Sequence, residues 1–312
     1  MWGAWLPGRK AYPGTPVRAT FIINPTSGGR QGAALGAMLA ARGDPVLDLR
    51  GGRLAERIAG CDGVLVACGG DGTVAAVLEA VHQNGRDLPV AVIPLGTGND
   101  LARHLGWPAS PPSAERLDAW LAHAIAAPQR RLDRWVLSGP GCSRAWYNYW
   151  SIGDDAAAAH RFHHIRRVQP WLMRGGGLNK AMYGLCGLAE PGARLRGCVD
   201  HRLPSGSGAL VVAGIPSYAG GFRLGPLIRS DDRLADLFAL PMGLGLGLML
   251  AGRRRARPLG QAAVWELRFR RAVPMQVDGE PFIGAAGLWR VEHGGQLRVL
   301  CGPAALTAGT SR

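Results

Sequence analysis

Along the first third of the chain, short apolar runs alternate with stretches whose apolar residues recur at helical spacing. Residues 19–23 are followed by 32–41, residues 64–67 by 74–82, and residues 90–93 by 100–105. Alternation of this kind predicts a parallel sheet covered by helices. After Thr73, the residues Val74, Val77, Leu78 and Val81 fall at i, i+3, i+4 and i+7, a single helical face able to pack on that sheet. The glycine-rich turn before them then sits at a helix N-terminus.

Residues 108–129 read as a polar, then helical connector, with Ser113 in N-cap position ahead of Leu117, Trp120, Leu121 and Ala124. A domain boundary is expected near Arg130. Beyond it the apolar runs 135–137, 146–150, 210–213, 264–269 and 275–277 are separated by Gly and Pro, as in an antiparallel β domain. The greasiest stretch, 237–252, contains Pro241 and four glycines and falls short of the roughly 20 residues a spanning helix needs. Buried strand and turn are expected there.

A chain of 312 residues, 47% hydrophobic, can bury a substantial core, and its length favours two domains with a cleft between them. Lys and Arg total 36 against 22 Asp and Glu, a formal charge of +14. Such a charge draws polyanions, but it suits nucleic acid, an anionic bilayer and a phosphate-bearing substrate equally. No recognition helix, ribbon or stacking platform for nucleic acid is visible. Cys61, Cys68, Cys142, Cys186, Cys198 and Cys301 include no C-x-x-C pair, which argues against a zinc site or a disulfide framework. The opening MWGAWLPGRK has no apolar run after a basic one, so a cytoplasmic location is expected.

Three glycine-rich loops follow consecutive predicted strands: NPTSGG at 24–29, GGDGT at 69–73 and PLGTGND at 94–100. All three should open on the same sheet edge. Glycine lets backbone approach a polyphosphate, and the free N–H groups of the following helix supply donors and partial positive charge. One GGDGT alone is equally a tight turn; three such loops at strand ends point together to a nucleotide.

With these loops the sequence resembles the diacylglycerol kinase catalytic family, whose marks are an NPxSGG loop, a GGDGT loop and a PLGTGNDLAR segment, here at 94–103. The resemblance continues at 148–187, where Asn148, Ser151, Gly153, Asp155, Phe162, His163, Arg166, Pro170, Asn179, Lys180 and Tyr183 match the accessory-domain signature of the eukaryotic-type branch. Further matches are IPSYAGG at 215–221, DDRLADL at 231–237 and PMQVDGEPF at 274–282. Two positions depart from the pattern. Arg233 stands where the family has Gly, at a loop for which a structural magnesium has been proposed through Asp232, and Asp154 stands where an apolar residue is usual.

The resemblance implies an α/β plus β fold. Residues 1–130 would form a Rossmann-like α/β nucleotide-binding domain and 131–302 an antiparallel β-sandwich for the lipid, with 303–312 a disordered tail. It implies a nucleotide site formed by Asn24, Ser27, Gly28, Gly69, Gly70, Asp71, Gly72, Thr73, Thr97, Gly98, Asn99 and Glu280, with Asp71 engaging the phosphates through Mg²⁺. Asp278 is the expected base for the lipid hydroxyl and Asp71 the alternative; by itself, without the family match, VDGE reads as a plain β-turn. The activity implied is transfer of the ATP γ-phosphate to diacylglycerol at the interdomain cleft of a peripherally membrane-associated enzyme. Expected partners are ATP, diacylglycerol and an anionic membrane surface, with no nucleic acid and a homodimer left open. Rival readings are a kinase of ceramide, a sphingoid base or monoacylglycerol, a NAD kinase, and a non-catalytic lipid-binding protein. Arg253, Arg254, Arg255 and Arg257 form the densest basic cluster, which reads either as a solvated loop or as a dock for anionic headgroups.

Overall fold

The computed structural model describes residues 19–304 except 97, 109, 169–194, 196–198, 200–202, 226–227, 242–243 and 251. Thr97, Pro170, Asn179, Lys180, Tyr183, Cys186, Cys198 and the tail from 305 onwards therefore lie outside the described residues.

The first part of the chain runs β1 (Ala19–Ile23), α1 (Gln31–Ala41), β2 (Val46–Asp48), α2 (Leu54–Arg57), β3 (Val64–Gly69), α3 (Asp71–Asn84), β4 (Val90–Pro94), α4 (Asp100–His104) and α5 (Leu117–Ala126). Strands β1 to β4 are parallel, in the order β2-β1-β3-β4. Every residue of β3 and β4 is buried, as strands covered on both faces require. Val74, Val77, Leu78 and Val81 are all buried on α3, as their spacing predicts. Elements β2 and α2 escape the sequence pattern because three and four residues are too few to display a period. Ser113 does stand at an N-cap, ahead of a 3₁₀ turn leading into α5, but its side chain makes no capping bond.

The rest of the chain supplies β5 (Gln129–Gly139), β6 (Cys142–Trp146), β7 (Tyr149–Gly153), α6 (Asp154–Val168), β8 (Ser207–Ala213), β9 (Ser217–Tyr218) and β10 (Phe222–Arg223). It continues with β11 (Ala235–Pro241), a helix at Leu244–Leu250, β12 (Arg257–Ala262), β13 (Val264–Phe269), β14 (Val273–Val277), β15 (Glu280–Gly284) and β16 (Gly287–Leu300). Strand β16 pairs in parallel with β4 at Val299↔Val90 and antiparallel with β5, so the first sheet extends as β2-β1-β3-β4-β16-β5-β6, with β13 also on β16. The second sheet is antiparallel, β12-β11-β8-β7-β14-β15. Arg130, the expected boundary, is the second residue of β5, a strand in the shared sheet.

Trp135, Trp146 and Trp289 of the first sheet meet Trp150, Val212 and Met275 of the second in one buried core, which is the expected β-sandwich. A separate core joins β1, β3 and β4 to their helices. A third covers the other face of the second sheet through Tyr149, Val211, Tyr218, Phe238 and Met249. Side-chain alternation along β8 divides Leu210 and Val212, in the inter-sheet core, from Val211 and Ala213, in this third one. The indoles of Trp107, Trp146 and Trp150 are buried, so these three tryptophans serve the interior and are not interfacial anchors.

Two sequence expectations are corrected. The run 146–150 is not one strand: β6 and β7 belong to different sheets, and the chain crosses between them at Tyr147 and Asn148. The backbone N–H groups there leave the ladder for the Asp278 carboxylate. The stretch 237–252 is strand and helix, where strand and turn were expected. Proline has no N–H to continue the ladder, so β11 stops at Pro241, and the Leu244–Leu250 helix packs back on it. Among the described residues, Cys61, Cys68, Cys142 and Cys301 are free thiols, and no helix is long and apolar enough to cross a membrane.

Candidate active site

The three glycine loops leave β1, β3 and β4 at their C-terminal ends and meet one another. Asn24, directly after β1, donates from Nδ2 to Thr73 Oγ1 at 3.3 Å, while its Oδ1 accepts from the Thr26 N–H and hydroxyl at 3.2 and 2.8 Å. Gly28 and Gly29 take left-handed backbone with φ of 61° and 64°. A methyl group on Gly28 would stand 2.5 Å from the Leu95 carbonyl oxygen, so only glycine fits where this loop rests on the end of β4. The loops after β3 and β4 approach backbone to backbone: a methyl on Gly96 would fall 2.6 Å from the Gly70 Cα. Asn99, buried and left-handed at φ 52°, closes its loop by accepting from the Gly96 N–H at 3.0 Å and donating to the Gly96 carbonyl at 2.6 Å.

Asp71 is the first residue of α3, and its carboxylate caps the neighbouring helix α4. Oδ2 accepts from the Asp100 N–H at 3.1 Å and Oδ1 from the Leu101 N–H at 3.0 Å. A carboxylate offers about four acceptor positions, so each oxygen retains capacity. The next loop comes close, since a Cβ on Gly98 would be 3.1 Å from Asp71 Oδ2. Mg²⁺ takes oxygen ligands, commonly one or two carboxylates with phosphates and water completing its shell, so Asp71 beside the glycine loops fits a magnesium-bound polyphosphate.

Asp100, adjacent to the chosen Asn99, was not among the expected site residues, and it ties the loop to the second half of the chain. Its buried carboxylate accepts from Ser217 Oγ at 2.6 Å and the Gly220 N–H at 2.9 Å, both in the IPSYAGG segment, and from Arg103 at 3.3 Å. Burial pushes its pKa up, the charge of Asp71 adds to the rise, and these donors oppose it. The motif contained Asp100, but no local spacing signals a partner 117 residues away.

Asp278 and Gly279 form the two-residue loop between β14 and β15, both at positive φ, with Val277 paired to Glu280. The Asp278 carboxylate receives three successive backbone N–H groups: Tyr147 on Oδ2 at 2.9 Å, and Asn148 and Tyr149 on Oδ1 at 2.8 and 3.0 Å. Removal from water pushes its pKa up to about 7, the three N–H donors hold it back, and the charge of Asp71 raises it further. Asp100 and Asp278, from two other motifs, thus each lie within electrostatic reach of Asp71. Glu280 is exposed at the start of β15.

Asp232 lies elsewhere. Its Oδ1 accepts from the Leu234 N–H at 3.1 Å, and the next residue, Arg233, donates its N–H to buried Asp133 at 2.8 Å. Arg233 adopts φ 62°, a left-handed conformation that explains why glycine suits this position. Among the described residues no three His, Cys, Asp or Glu side chains converge as a metal site.

Residues 18–127 match the model of the diacylglycerol kinase catalytic domain, and residues 145–281 that of the diacylglycerol kinase accessory domain. The chain is 32% identical to Diacylglycerol kinase 2 of Arabidopsis thaliana over 89% of its own length and 45% of the relative's. It is 31% identical to Diacylglycerol kinase theta of Rattus norvegicus over 85% of this chain and 33% of that one. The chain thus spans less than half the length of these relatives. Diacylglycerol kinase 4 of Arabidopsis thaliana is 29% identical over 84% of this chain and 75% of its own length. A crystal structure of a diacylglycerol kinase from Bacillus anthracis shares the fold, with a TM-score of 0.58 and 16% identity over 93% of this chain and 98% of that one. With both family domains matched in order and folded together, the chain belongs to the diacylglycerol kinase family.

Proposed function

We propose that this chain is an ATP- and magnesium-dependent lipid kinase that transfers the γ-phosphoryl group to the free hydroxyl of diacylglycerol, giving phosphatidic acid. The observation that carries the reading is the meeting of the three glycine loops at one sheet edge around Asp71, whose charge reaches both Asp100 and Asp278. In this reading Asn24, Ser27, Gly28, Gly69, Gly70, Gly72, Thr73, Thr97, Gly98 and Asn99 cradle the nucleotide, and Glu280 reaches it from β15. Asp71 holds Mg²⁺, which supplies charge neutralisation at the phosphates.

Asp278 takes the proton. Its three backbone bonds use three of about four acceptor positions, leaving one on Oδ2. A base is most effective with a pKa near the working pH, and burial brings Asp278 to about 7. The O–H proton of the lipid passes to Oδ2 as its oxygen bonds to the γ-phosphorus, and the bond to the β-phosphate oxygen breaks to release ADP. Alignment and charge stabilisation do the remaining work.

One surface feature supports a membrane partner. Arg253, Arg254, Arg255 and Arg257 are exposed beside the Leu244–Leu250 helix, whose Leu248 is 37% exposed. Positive charge next to an exposed apolar side chain suits an anionic bilayer, the source of the lipid. Turnover of Asp278→Asn beside Asp71→Asn tests the assignment. Loss of activity in both supports it, whereas near-normal turnover in Asp278→Asn alone would transfer the role of base to Asp71.

A further inference from the structure

Glu79 lies about two helical turns beyond Asp71 on α3. Its carboxylate grips Arg134 of β5 with two bonds, to Nε and Nη2, both 2.8 Å. Arg134 also donates to the Gly294 carbonyl of β16 at 3.3 Å. The Tyr147 hydroxyl donates to Glu79 Oε2 at 3.2 Å, and the N–H of the same tyrosine donates to Asp278 Oδ2 at 2.9 Å. A continuous path therefore leads from the helix that begins with Asp71 to the carboxylate of Asp278.

The residues around Tyr147 give this path leverage. Trp146 is in the inter-sheet core, Tyr147 in the α/β core and Tyr149 in the core on the outer face of the second sheet. Three cores meet where the chain crosses from β6 to β7, and the N–H groups freed by that crossing are the ones aimed at Asp278. The Tyr147 ring is 1% exposed, so its hydroxyl has no bulk water to fall back on. Arg134 and Glu79 are only 11% and 26% exposed in their side chains; burial raises the Glu79 carboxyl, but Arg134, the Tyr147 hydroxyl and His82 together hold it below its ordinary range. A charged acceptor thus faces the hydroxyl throughout the working pH range.

We propose that Glu79, Arg134 and Tyr147 are positioning residues that fix the Tyr147–Tyr149 backbone, and through it the Asp278 carboxylate, relative to the helix bearing Asp71. This rests on the reading of Asp278 as the base. None of the three need touch a substrate. What they control is the distance between the group that takes the proton and the group that holds the phosphates, a quantity to which phosphoryl transfer is sensitive.

Tyr147→Phe removes one oxygen and keeps the ring in its core. The expected result is a fall in kcat of about tenfold, with KM for ATP and for diacylglycerol changed less than about twofold. Glu79→Gln retains an amide oxygen for the hydroxyl and should lose less kcat than Glu79→Ala. In the double variant Glu79→Ala/Tyr147→Phe the losses should not multiply, because both act on one path. Wild-type kcat in Tyr147→Phe and Glu79→Ala, with Asp278→Asn inactive, would overturn the proposal and leave the base assignment standing. Near-normal turnover in Asp278→Asn would remove the base assignment and the proposal with it. An equal deterioration of kcat, both KM values and Tm in Tyr147→Phe would also overturn it, since that pattern describes a merely structural residue.

Discussion

Gly96 is the point at which two of the three loops touch, and Gly96→Ala is therefore a sharp test of how the site is held. The new methyl would stand 2.6 Å from the Gly70 Cα and 2.7 Å from Asn99 Oδ1. Carbon atoms rest at about 3.5–4 Å, so about 1 Å must be found. Gly70 offers only backbone, and Asn99 is tethered by its bonds to Gly96 itself. No flexible side chain can give way, and one loop must move. Overpacking of this kind costs about 1–3 kcal/mol, or several degrees in Tm for a chain of this size. The same displacement disturbs the two bonds from α4 to Asp71, 3.1 and 3.0 Å long, and about 1 Å of misplacement can cost roughly 100-fold in rate. Thermal unfolding and kcat/KM for ATP should both fall. Gly72→Ala is the control, because a Cβ there meets no atom within 4 Å. It should keep or slightly raise Tm, since alanine is favoured over glycine in a helix by roughly 1 kcal/mol, and any loss of ATP affinity then reports the nucleotide itself lying against Gly72. Wild-type Tm and kcat/KM in Gly96→Ala would refute the argument that backbone contact between the loops sets the site.

Two further outcomes are expected. Replacing Arg253, Arg254, Arg255 and Arg257 by Gln should weaken co-sedimentation with phosphatidylserine vesicles and flatten its salt dependence, while activity on detergent-dispersed lipid persists; unchanged sedimentation would dismiss this surface as the dock. His104, which shares a 2.7 Å hydrogen bond with Ser230, has its pKa pushed down to about 4 by burial and then by Arg130 and Arg223. The unfolded chain takes up that proton near pH 6.5 and the folded chain does not, so this group's stability contribution is lost as pH falls through that range. Urea unfolding should show about 2 kcal/mol less stability from this residue at pH 5 than at pH 7, a difference that His104→Gln should abolish and that would be absent if the imidazole were charged in the fold.

The α/β half was legible because its signals are local. The stripe Val74, Val77, Leu78 and Val81 requires one helix on one sheet, and loops at strand ends must open on one edge. Strand β16 was not legible: Gly294 and Gly295 interrupt its alternation at a register shift between His293 and Gln296, yet it stitches β4 to β5 in one sheet. The split of 146–150 into two strands was hidden for the opposite reason, since a run of four aromatic residues around Asn148 looks like one strand while its residues serve three cores. Asp71 and Asp278 stood out through their motifs. Asp100, Glu79, Arg134 and Tyr147 did not, because their meaning lies in partners far along the chain, and no periodicity carries that information.

The reaction itself is tested by incubating the purified protein with Mg·ATP labelled at the γ-phosphate and mixed micelles of diacylglycerol, ceramide, sphingosine or monoacylglycerol, with Asp71→Asn alongside. Labelled phosphatidic acid, absent with Asp71→Asn, is the result predicted; no label in any lipid while ATP remains bound would contradict the assignment as a lipid kinase.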